Sequence, residues 1–161
     1  MDMYTATCRD HDPIIGESEY LKRRGLCTEE AVWRLIGRIV DLQIGFALDE
    51  KNLFAVQIMN VHIFSERNRT STKLAQLTKS KIEDTLAALL REVFHQKKTL
   101  HAKTISRAVN GAIVSFAEHP DLLYNEVLES RYMPRTREWM EGYIRHFIMD
   151  GLRLEAERVR A

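Results

Sequence analysis

Two uncharged amides, Gln57 and Asn60, stand three positions apart in a run that is otherwise almost wholly apolar: Leu53, Phe54, Val56, Ile58, Met59, Val61, Ile63 and Phe64. Read as a helix from about residue 49 to 64, the run is apolar on every side, and a helix of that kind is buried on every side. Gln57 and Asn60 share a stripe with Leu53 and Phe64, and a buried amide left without a partner costs about 1 to 3 kcal/mol. Neighbouring helices, water or a small molecule can supply the partner, and the last of these would make the stripe a binding site. His62 lies off the stripe and is open to three readings: a ligand contact, a proton switch, or a core histidine bonded to a backbone carbonyl.

Other candidate chemistry is thinner. The six histidines, at 11, 62, 95, 101, 119 and 146, never fall at i,i+3 or i,i+4 on one helix face. Cys8 and His11 are spaced for half a zinc site, but two further ligands are missing nearby, so no metal is expected. The carboxylate pairs Glu29-Glu30 and Glu83-Asp84 read as helix-surface charge, because acid-base work needs burial to separate the two pKa values and neither pair sits on an apolar seam. A P-loop, a Rossmann glycine fingerprint, Cys-x-x-Cys, His-Glu-x-x-His and Gly-x-Ser-x-Gly are absent. With no nucleophile, base and orienter to assemble, the expectation is a non-enzyme without a cofactor.

The elements that must position the amide stripe are helical. At 161 residues the chain is one ordinary domain, and 24 Lys plus Arg against 23 Asp plus Glu leave a formal charge of +1. That balance argues against direct nucleic-acid binding by this chain. Apolar residues make up 45% with only 7 Gly and 3 Pro, which excludes low-complexity classes. Two cysteines cannot form a disulfide scaffold, residues 1 to 10 lack an apolar signal segment, and no apolar run reaches the roughly 18 residues of a membrane span. A cytoplasmic chain without membrane contact is expected.

Residues 1 to 27 are broken by Asp10, Asp12, Pro13, Gly16 and Gly25 and read as an irregular arm with at most one helical turn near Glu17 to Arg24. From Thr28, a good N-cap followed by Glu29 and Glu30, a helix carries Leu35, Ile39, Leu42 and Phe46, with a Glu30-Arg34 pair on its wet face. After the amide helix, a long helix from about 72 to 96 has Ile82, Leu86, Leu89 and Val93 as its seam, widened by Leu90 and Phe94. Another, from about 104 to 117, carries Ile105, Val109, Ala112 and Phe116, with Gly111 suggesting the close packing of a neighbouring helix. Pro120 and Pro134 each open a helix, to about 130 and 158. The last has two apolar rows, Trp139, Tyr143 and Phe147 beside Met140, Ile144, Ile148 and Leu152, and an expected Glu141-Arg145 pair. The fold class is all-α, a bundle of about six helices covering 28 to 161. Two rows are wide enough for one to face the core and the other a second copy, making a four-helix dimer interface from the last two helices.

The order of these elements resembles the C-terminal regulatory domain of the TetR/AcrR family of transcription regulators. The resemblance is carried by Ala31 to Phe64 with its turn at Phe46-Ala47-Leu48-Asp49-Glu50-Lys51-Asn52-Leu53-Phe54, by the long helix to Gln96, by Ala108-Val109-Asn110-Gly111-Ala112, and by Trp139 to Leu152. It implies a homodimer and an effector pocket, and the family's N-terminal helix-turn-helix has no counterpart in the 27 residues ahead of Thr28. The expected function is therefore a ligand-responsive regulatory domain lacking its own DNA reader. Its pocket, for a small apolar or amphipathic effector, is expected among Gln57, Asn60, His62, Phe94 and Asn110. Its dimer interface is expected at Ile113, Phe116, Trp139, Tyr143 and Phe147. The competing reading is a helical protein-protein interaction module that sequesters or modulates a regulatory partner.

Overall fold

A computed structural model describes residues 3–25, 27–49, 52, 82–95, 99–118 and 137–161. Among the described residues every regular element is a helix: α1 (Met3–Arg24), α2 (Glu29–Ala47), α3 (82–93), α4 (Thr99–Glu118) and α5 (Arg137–Arg160). The expected amide helix and the expected short helix after Pro120 lie outside the described residues.

α1 corrects the reading of residues 1 to 27 as an irregular arm. Its helix runs through Pro13 and ends at Gly25, whose φ of +66° is the left-handed backbone that glycine adopts without a Cβ penalty. Among its described side chains, Ile14 is buried and Leu21 is partly so. Ion pairs also dock it. Glu17 receives Arg34 at 2.7 Å and also Arg38, both from α2, while Lys22 meets Glu92 of α3 at 3.1 Å. Arg34 thus reaches across to α1, where the sequence suggested a local pair with Glu30.

α2 begins as its sequence requires. Thr28 is extended (φ −73°, ψ 155°) and its Oγ1 accepts from the Ala31 N–H at 3.2 Å, with Glu29 and Glu30 in the first turn. It is the central helix, in contact with α1, α4 and α5. Its buried face is Val32, Leu35, Ile36, Ile39, Val40, Gln43, Ile44 and Ala47, so the seam is rotated from the expected one and Leu42 and Phe46 are only half-buried. On α3, Leu86, Leu89, Leu90, Val93 and Phe94 are buried as read from the sequence. His95, with φ 52°, then turns the chain.

On α4 the buried face is Ala102, Ser106, Val109 and Ile113, with Ile105 and Phe116 at its margin. Gly111 lies on the opposite, exposed side, and a Cβ there would meet nothing within 4 Å, so close packing inside this chain is not what it marks. On α5 the row Met140, Ile144, Ile148 and Leu152 is buried, joined by Met149 and Ala156. Gly37 of α2 faces this helix: a Cβ there would come within 3.2 Å of Arg145 Nη2 and 3.8 Å of Met149 Cε. Arg145 Nε donates to Asp41 of α2 at 2.6 Å, in place of the expected pair with Glu141. No described helix is long and apolar enough to cross a membrane.

Candidate functional site

The second apolar row of α5 is the most distinctive surface of the described chain. At about 100° per residue, Trp139, Tyr143, Phe147 and Leu154 fall within an arc of roughly 80°, away from the face that holds Ile144 and Ile148. Tyr143 is 49%, Phe147 59% and Leu154 66% exposed, and Trp139 is half-buried. Their geometry is ordered: the Trp139 and Tyr143 rings stack at 5.4 Å and 19°, and Phe147 meets the ring of Phe116 edge-on at 6.4 Å and 82°. Phe116 comes from the end of α4, so the ridge draws on the last two described helices.

Charges of both signs border this ridge. His146 and Asp150 lie 3.0 Å apart; at the same angle per residue Asp150 and Glu157 fall within the Trp139 side of the arc, and His146 and the exposed Arg153 just beside it. Further round the helix, two bonds of 2.7 Å from Arg158 hold the Glu155 carboxyl below the usual carboxylate range, and the same contact raises the Arg158 guanidinium. His101 of α4 stands 2.8 Å from the same Glu155 carboxylate, and its ring lies 5.8 Å from that of Phe94.

The residues expected to bind a ligand do not gather into one described site. Gln57, Asn60 and His62 lie outside the described residues. Phe94 is buried at the end of α3 as part of the core. Asn110 donates from Nδ2 to Glu83 Oε1 at 3.4 Å. Of the expected interface residues, Ile113 is buried within this chain, whereas Phe116, Trp139, Tyr143 and Phe147 reach the surface to differing degrees.

Glu83 corrects the reading of the Glu83-Asp84 pair as surface charge. Only Asp84 is exposed, bonded to Lys103 at 2.9 Å, whereas Glu83 is buried at the crossing of α3 and α4. Its carboxylate accepts from Arg107 and Asn110 at 3.4 Å, and its backbone carbonyl accepts from the buried Ser106 hydroxyl at 2.8 Å. The available signal was its register, three positions before the core residue Leu86 and one full seam turn before Ala87.

Gln43 was missed as well. It sits four residues after Ile39 and four before Ala47, on the buried stripe of α2, and is 7% exposed with no hydrogen-bond partner at Oε1 among the described residues. Among the described residues no group of three or more His, Cys, Asp or Glu is placed to hold a metal ion. No family model, curated protein or solved structure matches the chain.

Proposed function

We propose that this chain is a TetR-like, ligand-responsive regulatory domain that pairs with a second copy through the outer face of α5. It takes a small apolar or amphipathic effector. The observation that carries the pairing is the division of α5 into a buried row and an ordered, exposed aromatic ridge. Large apolar side chains grouped on one face are the surface that partners cover.

Magnitudes define what the pairing needs. Fully burying a large apolar side chain is worth about 1.5 to 3 kcal/mol. With about half their surface already buried, Tyr143, Phe147 and Leu154 on two copies offer roughly 4 to 9 kcal/mol. Association costs at least about 4 kcal/mol in lost freedom. The ridge alone is therefore marginal, and Trp139, Phe116 and the flanking charges must join it. Charges of both signs on this side, Arg153 beside Asp150 and Glu157, can match themselves across a two-fold axis.

Support for the effector half comes from the sequence pattern of Gln57, Asn60 and His62. An effector favouring one arrangement of the pair shifts the population toward it, by no more than its difference in affinity for the two arrangements. Sedimentation velocity on Phe147→Asp tests the pairing: the variant should remain helical by circular dichroism and sediment as a single chain. A variant that sediments as the wild type does would remove the ridge from the interface.

A further inference from the structure

The outer face of α5 is divided lengthwise into an apolar side and a charged side. At about 100° per residue, Phe147 and Leu154 stand about 20° apart on one side of it, and His146 and Glu157 stand about 20° apart on the other. Arg153 lies next to His146, and Asp150 lies between the two sides. Phe147 and Leu154 are the most exposed large apolar side chains of the helix, at 59% and 66%. His146, Arg153 and Glu157 are exposed as well, and Asp150 is half-buried. Along the axis, basic and acidic groups alternate in the order His146, Asp150, Arg153, Glu157.

A two-fold axis can pair such a helix with its copy in two ways. In a parallel pair each height meets itself, so Asp150 would face Asp150, and the apolar side of one copy would lie against the charged side of the other. In an antiparallel pair each side meets its own counterpart running the opposite way. Reversal about Asp150 and Gly151 then sets Phe147 against Leu154, Asp150 against Arg153 and His146 against Glu157, each contact made twice. The three pairs share a midpoint to within one residue, so one register satisfies all of them. Gly151 at that midpoint is exposed, and a Cβ there would meet nothing within 4 Å, which leaves the crossing open to a close approach. We propose that α5 pairs with the α5 of a second copy in antiparallel orientation, crossing at Asp150 and Gly151, with the carboxylates of Asp150 and Glu157 accepting from Arg153 and His146 of the other copy. The inference rests on the pairing half of the proposed function and adds its orientation and register. Opposite charges that meet only in this register favour it over its competitors, because like charges brought together penalise the alternatives.

Charge reversal on the whole chain tests the register. Asp150→Arg and Arg153→Asp each bring like charges together at two contacts, and each should raise the dimer dissociation constant about tenfold by sedimentation equilibrium at low salt. An equimolar mixture of the two should pair as the wild type does, since each variant supplies the charge the other lacks. Cross-linking tests the orientation without touching the apolar side. His146→Cys and Glu157→Cys, both in a Cys8→Ser and Cys27→Ser background, should be joined when mixed by a thiol-reactive linker of about 8 Å, the spacing of packed helices. Each alone should stay unlinked, because identical positions then lie about 15 Å or more apart along the axis. A dimer whose charge variants pair as the wild type does, or whose mixed cysteine variants are linked no better than either alone, would overturn the antiparallel register and leave pairing through the ridge standing. A wild type that sediments as a single chain would remove the pairing and the register together.

Discussion

Replacing Arg160 with Ala removes a contact that ties three helices together at one end of the bundle. Nη2 and Nε of Arg160 donate to the Val93 carbonyl at 2.7 and 3.3 Å, and Nη2 also reaches Glu29 Oε1 at 2.5 Å. Val93 is in the last turn of α3, where carbonyls have no donor within their own helix. A hydrogen bond from a charged donor contributes about 1.5 to 3 kcal/mol when shielded. The Arg160 side chain keeps 35% of its surface in water, and solvent screening reduces the figure to about 1 to 1.5 kcal/mol. For a chain of this size Arg160→Ala should lower the Tm by about 2 to 5 °C.

The same variant carries a pH signature. The Arg160 bond first, and the Trp33 Nε1 bond second, hold the Glu29 carboxyl below the usual carboxylate range. A depressed carboxylate adds stability above its unfolded pKa, near about 4.3, and loses it as pH falls through the folded value. The gap in Tm between wild type and Arg160→Ala should therefore narrow below about pH 4 without closing, because the Val93 bond does not titrate. Thermal melts followed by circular dichroism at neutral and acid pH provide the assay. Equal Tm values at neutral pH would refute the capping role, and a gap that widens on acidification would refute the linkage.

Two glycines give further checks on how the helices meet. In the Phe147→Asp background, Gly111→Ala should raise the Tm by about 1 to 4 °C, since it relieves an exposed mid-helix glycine with open space around it; a fall would show that the α4 face is covered. Gly37→Ala should change stability by less than about 1 kcal/mol, because the new methyl meets only the mobile ends of Arg145 and Met149. Gly37→Leu, by contrast, should cost about 1 to 3 kcal/mol by overpacking the contact of α2 with α5, and urea titration of both variants would show it.

Where one face of a helix is strongly apolar, the sequence was easy to read. The Thr28 cap, the α3 seam through Leu86 and Val93, and the division of α5 into two rows all follow from residue type and a 3.6-residue period. What could not be read depends on long-range partners. Among its described side chains α1 is docked by Ile14 and by ion pairs of Glu17 with residues 17 and 21 positions away, so Asp10, Pro13 and Gly16 read locally as an irregular arm. The α2 and α4 faces were assigned a few tens of degrees off because wide apolar stripes leave the centre of burial undetermined until the neighbours are known. Ser106, Glu83 and Gln43 are hidden from a sequence reading for a related reason: a single polar side chain near the margin of an apolar stripe does not show which face it shares until the neighbouring helices are known.

The central claim, that the aromatic ridge of α5 is covered by a second copy, is tested most directly by sedimentation equilibrium of the unaltered chain over a range of concentrations. The account predicts a mass that climbs from 18.8 kDa toward twice that value. A mass that stays at that of one chain up to about 100 μM, a level at which even weak specific pairs are populated, would contradict it.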